Sequence, residues 1–264
     1  ADVIKVEKPG KGDDLRNWKV NDVSHWWAVY SRNKRSLALN LKQEEGLGIL
    51  KDLVKSADVF IENFVPGTLE KWGIGPDQLM ELNKNLIILR ISGWGQTGIY
   101  KNSPGFGSLV EGMSGFASMT GEENQTPLLP PLALADMVAG LTGFGAILMS
   151  IIVSKKNQTG GQVIDLSLFE PLFSILGPWA ASYDISGKIP PRMGNRSNVA
   201  APRGIYKTKD SKYVVAQDWS WIFAVGVCPF PTAKITPKMV RCWPPDGTTL
   251  RGLTNVSTGE SYLT

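Results

Sequence analysis

Between Leu86 and Gly93 the chain reads LIILRISG, the strongest strand signal in the sequence. A run of apolar, largely β-branched residues closed by glycine has the length and chemistry of a strand. Its neighbours constrain the fold further. Asp2–Glu7 and Asp58–Asn63 read as strands, and Ser36–Leu41 as a shorter alternating one. Helical patterns separate them. Gln43–Ser56 places Leu47, Ile49, Leu50, Leu53 and Val54 at helical spacing, with acidic residues at its front and lysine at its back, as the helix dipole prefers. PGTLEKWG begins a helix with Pro66 and stops it at Gly73, and GPDQLMELN forms a second short helix. The alternation predicts an α/β fold: an open parallel, Rossmann-like sheet with helices on both faces.

A glycine-rich stretch, Ser92–Gly115, follows the strongest strand and leads into a helix from about Gly107. Open parallel sheets bind ligands outside the C-terminal ends of their strands. Those ends here are Glu62–Phe64 and Ser92–Trp94. Beyond a polar, proline-containing crossing at 121–131 comes a long apolar helix, then a strand in QVIDLSLFE that runs into a helix through about Tyr183. GNRSNVAAPRGIYKTKDSKYVVA reads as a turn and a hairpin built on KTKDSK. From about Gln217 no helix or strand period persists, and the stretch is expected to be poorly packed or disordered. The expected layout is a large domain over 1–185, a linker and part of a smaller second domain over 186–216, and a divergent tail over 217–264.

Hydrophobic residues make up 42% of the 264 and charged residues 20%, which permits a sizeable core. The net charge of +4 is spread along the chain, so it favours an anionic small molecule no less than nucleic acid. The two cysteines, Cys228 and Cys242, and the single His25 lack the spacing of a zinc site or a disulfide scaffold.

The segment LALADMVAGLTGFGAILMSIIVSKKNQTGG sets one carboxylate, Asp136, at the front of nearly twenty apolar or small residues. Three readings stand side by side. Asp136 caps the helix, as aspartate does well. Alternatively, Pro131–Val153 is long enough to span a membrane, although small residues interrupt it and no aromatic belt flanks it. Third, Asp136 is a nucleophile: a helix N-terminus favours the ionised form, and a partly desolvated carboxylate at a glycine-lined cleft can attack an activated acyl group.

Six stretches then fall in a common order: ADVIKVEKPGKGDDLR, NKRSLALNLK, ADVFIENFVPGTLEKWG, LIILRISGWGQTGIY, LALADMVAGL and TGGQVIDLSLFE. Together, over about Ala1–Ala216, they resemble the family III CoA-transferases, the group that includes formyl-CoA transferase and α-methylacyl-CoA racemase. Within it the sequence resembles the mammalian succinyl-CoA:glutarate (hydroxymethylglutarate) branch. The resemblance implies that Asp136 is the catalytic aspartate, forming aspartyl anhydride and aspartyl-CoA thioester intermediates. It implies CoA-contacting positions at Lys8, at Leu39, Asn40, Leu41 and Lys42, at Asn63 and Phe64, and at Lys71. No resident cofactor or metal is implied; coenzyme A and acyl-CoA are substrates, with a dicarboxylate such as glutarate as acceptor. Arg90, Lys101, Arg192 and Arg196 are candidates for its counter-charge. The resemblance further implies an interlocked homodimer, a mitochondrial location, and neither nucleic-acid binding nor membrane insertion.

Racemase members pair the aspartate with a histidine that here falls at Phe106, whereas His25 lies elsewhere and reads as a packing residue. Two-base proton exchange therefore lacks a base, and transfer is favoured over racemisation. Family members begin earlier and continue beyond the hairpin. The chain is accordingly expected to lack an N-terminal piece, to carry a splice-variant or frame-shifted end, and to be unstable or inactive alone. A non-catalytic acyl-CoA-binding or dimer-modulating role is the alternative from another class.

Overall fold

The computed structural model describes residues 1–200, 203–207, 210–219, 222–227 and 240–242. In chain order the elements begin with β1 (Val3–Glu7), a 3-10 turn (Asp14–Asn17), α1 (His25–Tyr30), β2 (Lys34–Ala38), α2 (Glu44–Val54) and β3 (Val59–Glu62). Next come α3 (Thr68–Lys71), α4 (Pro76–Leu82), β4 (Ile87–Ser92), α5 (Gly107–Met113), α6 (Phe116–Met119) and α7 (Leu134–Asn157). The series closes with β5 (Val163–Ser167), α8 (Phe169–Ile175), α9 (Trp179–Ser186), β6 (Arg203–Lys207), β7 (Tyr213–Trp219), β8 (Ile222–Val227) and β9 (Val240–Cys242).

These elements form two compact units. The first comprises Ala1–Ser114 and Leu132–Ile175; the second comprises Gly115–Pro131 and Leu176–Thr264. The α/β class, the parallel pairing and the helices on both sheet faces agree with the sequence pattern. The strands divide, however, into a two-stranded sheet β1–β2 and a three-stranded sheet β3–β4–β5, rather than one continuous sheet.

Register assigns the faces of the three-stranded sheet. Phe60 pairs with Ile88, and Glu62 with Arg90, so these four side chains share one face. There Ile88 joins Leu50, Val54, Leu69, Ile74, Leu79 and Leu86 in a core supplied by α2 to α4. Leu89 and Leu166 lie on the opposite face, where α7 rests. A side chain at Gly143 of α7 would come within 2.9 Å of Leu89, so glycine sets that close approach. Helix α7 buries a stripe of small residues, Ala135, Ala139, Gly143 and Ser150, and leaves Leu141, Phe144, Met149 and Ile152 exposed. It is long and apolar enough to cross a membrane. Because α7 runs back along the sheet before β5, its N-terminus lies at the C-terminal edge of the strands.

The second unit departs from the expected layout by taking in 115–131 and by starting at Leu176. Two local features account for this. The helical pattern through Tyr183 is broken at Gly177 (φ +75°) and Pro178, giving α8 and α9. The Arg192 guanidinium then donates to the backbone carbonyls of Ser118, Glu122, Glu123 and Gln125 at 2.9–3.2 Å, tying 115–131 to this later segment. The hairpin forms as β6–β7, and β8 and β9 extend it into a four-stranded antiparallel sheet. The ladder thus continues past Gln217, where irregular chain was expected; most of the remaining tail, including Cys228, lies outside the described residues.

The end of β1 is fixed by a buried carboxylate. Glu7, with its side chain 3% exposed, receives both Nε and Nη2 of Arg16 (2.8 and 3.0 Å), the Ser36 hydroxyl (2.6 Å) and the Asp13 N–H (2.9 Å). Arg16 also lies 3.6 Å over the Trp27 ring. The Arg16 bond is the largest influence holding the Glu7 pKa at about 2, against an ordinary 4.5. A depressed carboxyl pKa stabilises the fold above pH 4.5, and that stability is lost as pH falls toward 2. Arg16 is 39% exposed, so solvent screens part of the pair. We expect Glu7→Gln to cost about 2 kcal/mol at pH 7, with the gap to wild type narrowing by pH 3 in urea denaturation.

Candidate active site

All the sequence-predicted CoA positions except Lys71 follow strand ends. Lys8 is exposed directly after β1, and Leu39 to Lys42 follow β2. Leu39 is buried, and its N–H donates to the Glu7 carbonyl at 3.0 Å. Asn40 turns the chain into α2: its side-chain oxygen accepts from Lys42 N–H (3.1 Å), and its backbone packs on Gly46, where a side chain would collide. Leu41 packs against the core, while the Asn40 and Lys42 side chains remain exposed. Asn63 and Phe64 follow β3, with Asn63 exposed and Phe64 edge-on to Trp72 at 5.1 Å. Lys71 is exposed at the end of α3.

One buried arginine organises the β3 turn. Arg90 Nε binds Glu62 at 2.7 Å, and its two terminal nitrogens bind Glu70 of α3 at 2.7 and 3.2 Å. The second oxygen of Glu62 accepts the Phe64 N–H at 2.7 Å. Burial works against the Arg90 charge, but the two carboxylates outweigh it and raise its pKa. Arg90 in turn lowers that of Glu70. Arg90 is therefore a structural cation rather than the free counter-charge expected for a dicarboxylate. Arg192 is likewise engaged with backbone carbonyls, and Arg196 donates to Met193 O at 3.3 Å. Lys101 is exposed.

The glycine-rich loop after β4 is anchored to β5. Asp165 accepts the Gln96 N–H with both oxygens (3.0 and 2.9 Å), beside Gly95 in the left-handed region (φ +86°). Gly93 and Gly105 meet backbone to backbone, with no space for a side chain on either. Trp94 Nε1 donates to Pro104 O at 3.0 Å, and its ring contacts Tyr100 and Phe169. Phe106, where a racemase histidine was sought, precedes α5 and is 72% exposed. His25 begins α1.

Asp136 is not the helix cap. The cap residue of α7 is Ala133, which makes no side-chain cap bond, and Asp136 sits inside the first turn. Glu111 of α5 instead accepts a free N–H of that turn, from Ala135, at 3.3 Å. The Asp136 carboxylate lies against Gly107, where an added side chain would sit 2.8 Å from Oδ2. The residue as a whole is exposed, yet its carboxyl end is crowded by protein. That desolvation raises its pKa above the ordinary 3.8, opposed by a hydrogen bond from its own backbone N–H. A partly desolvated carboxylate at a helix N-terminus, beside a glycine-rich loop, is suited to nucleophilic attack.

Sequence reasoning missed Glu111, Asp165 and Glu70, and marked Glu62 only as a strand end. Each is an acid inside or beside an apolar pattern, as in LVEGM and VIDLS, and that mismatch was the available signal.

Comparison with known proteins decides the family. A model described as CoA-transferase family III matches residues 1–221. The chain belongs to this family. It is 38% identical over 219 residues to succinyl-CoA–D-citramalate CoA-transferase of Chloroflexus aurantiacus, covering 81% of the chain and 54% of that protein. It is 38% identical over 232 residues to human succinyl-CoA:glutarate CoA-transferase, covering 86% and 52%. A crystal structure of a CaiB/BaiF family protein from Brucella suis aligns with TM-score 0.75 at 36% identity, covering 82% of this chain and 58% of that one. The chain spans about half the length of the curated relatives it matches.

The Glu62 side chain is 1% exposed, so removing Arg90 leaves an uncompensated buried charge. Arg90→Met should cost about 3–5 kcal/mol, and Arg90→Met with Glu62→Leu should cost less than the single change, as read from urea midpoints.

Proposed function

We propose that this protein transfers CoA from an acyl-CoA, with succinyl-CoA as donor, to a free dicarboxylate, with Asp136 as the nucleophile. The observation that carries the reading is the Asp136 carboxylate itself, held in the first turn of α7 against Gly107, on a residue exposed at the C-terminal edge of a parallel sheet. Family membership and the substrates named for the relatives support the donor and the acceptor class.

The proposed chemistry balances without a redox step or a resident cofactor. An Asp136 oxygen attacks the thioester carbonyl, the C–S bond breaks, and CoA leaves as thiolate. The thiolate attacks the aspartyl carbonyl of the mixed anhydride, releasing the donor acid and leaving an aspartyl-CoA thioester. The acceptor carboxylate displaces the thiolate to form a second anhydride. Attack of thiolate on the acceptor acyl carbon then yields acceptor-CoA and restores Asp136. Anhydrides retain the energy of the thioester, which is why a carboxylate, a poor nucleophile in water, serves here. Backbone N–H groups of the glycine-rich loop are suitable donors to the transient oxyanions.

Lys8, Lys42 and Lys71 are the proposed cationic contacts for CoA phosphates. Leu39 to Leu41, Asn63 and Phe64 are the proposed backbone and apolar contacts, and their position at strand ends supports this. The glutarate-transferring relatives support a dicarboxylate acceptor. The proposed assembly is a homodimer, as the family resemblance implies.

Asp136→Ala should lower kcat by more than about 10³-fold in the intact protein, measured with succinyl-CoA and glutarate. Because attack needs the ionised form, the acid limb of kcat/KM should fall above pH 3.8. Undiminished turnover in Asp136→Ala would remove the reading.

A further inference from the structure

Helix α5 touches the first turn of α7 at two points one helical turn apart. Gly107 and Glu111 are four residues apart, and so lie on the same face of α5. Gly107 meets the Asp136 carboxylate, and Glu111 meets the N–H of the preceding residue, Ala135. Glu111 is 3% exposed, an unusual place for a carboxylate unless it holds something. The group it holds is one of the four N–H donors that every α-helix leaves unsatisfied at its start. Ala133 supplies no side-chain cap, and Glu111 accepts from this turn in the role that a capping side chain would otherwise fill. Asp136 thus does not hold the Ala135 N–H, and its carboxylate lies against Gly107.

We propose that Glu111 is a positioning residue for Asp136, acting through the Ala135 N–H, and that Gly107 is its steric counterpart. This rests on Asp136 being the nucleophile. Glu111 fixes the rotation and height of the first turn of α7. Gly107 leaves the space that the carboxylate occupies; a methyl group there would meet Oδ2 at 2.8 Å and displace it. Gly107 has ordinary helical backbone geometry, and alanine is the better helix former. The clash with Asp136 is therefore separable from folding.

The test compares Gly107→Ala, Glu111→Leu and Glu111→Gln with Asp136→Ala in the intact protein, using succinyl-CoA and glutarate. Gly107→Ala should keep the wild-type melting temperature and lose between about 10- and 100-fold in kcat, as an ångström-scale displacement does. KM for the acyl-CoA should stay within about 3-fold. Glu111→Leu should show the same split, and Glu111→Gln, which keeps a carbonyl acceptor, should restore kcat to within about 3-fold of wild type. If Glu111→Leu fails to fold, Gly107→Ala and Glu111→Gln still decide. The inference is overturned by an unchanged kcat in Gly107→Ala, by a loss confined to KM, or by a Glu111→Gln as impaired as Asp136→Ala. An Asp136→Ala that retains turnover overturns the nucleophile reading and this inference together. An inactive Asp136→Ala beside fully active α5 variants overturns this inference alone.

Discussion

A guanidinium buried on a central strand cannot remain there unpaired, and that requirement shapes one side of the site. Arg90, within β4, draws in Glu62 from β3 and Glu70 from α3. Glu62 spends its second oxygen on the Phe64 N–H, so one cation fixes two strands, a helix and the turn between them. The buried pair is poor evidence for extra stability, since an apolar replacement can be as stable. Its effect is specificity of shape: Asn63 is left exposed and Phe64 is seated on Trp72 at the strand end. Glu7 repeats the device at the end of β1, with Arg16 as partner, immediately before Lys8.

The other side of the site follows from small residues. Gly143 allows α7 to lie close on Leu89 and Leu166. Gly93 and Gly105 let the loop after β4 close on itself, and Asp165 anchors that loop to β5. Gly107 then meets Asp136 at the start of α7. Lys8, the Phe64 turn and the Asp136 carboxylate thus all lie at the C-terminal edges of parallel strands, where open α/β sheets bind ligands.

Much of this was legible in the sequence, for physical reasons. LIILRISG and DVFIEN carry the apolar pattern of buried strands, and the intervening helices have clear start and stop residues. Asp136 stood out because a charge at the head of an apolar run is costly without a purpose. Long-range pairings were not legible. Nothing local says that Arg90 meets Glu70 across 20 residues or that Glu111 meets Ala135 across 24. That is why Arg90 read as a free counter-charge and why capping stood among the readings of Asp136. The division into two sheets, and the capture of 115–131 by Arg192, are likewise set by tertiary contacts rather than by periodicity.

The central claim is that an oxygen of Asp136 passes through the reaction. It is tested most directly with an acceptor dicarboxylate labelled with ¹⁸O in its carboxylates. Attack on the aspartyl thioester leaves one acceptor oxygen on Asp136, and the next donor acid to be released carries an oxygen away from that carboxylate. The account predicts a mass increase on the peptide containing Asp136, followed by ¹⁸O in the released donor acid during turnover in unlabelled water. Release of unlabelled donor acid, with its new oxygen drawn instead from ¹⁸O-water in the reciprocal experiment, would contradict it.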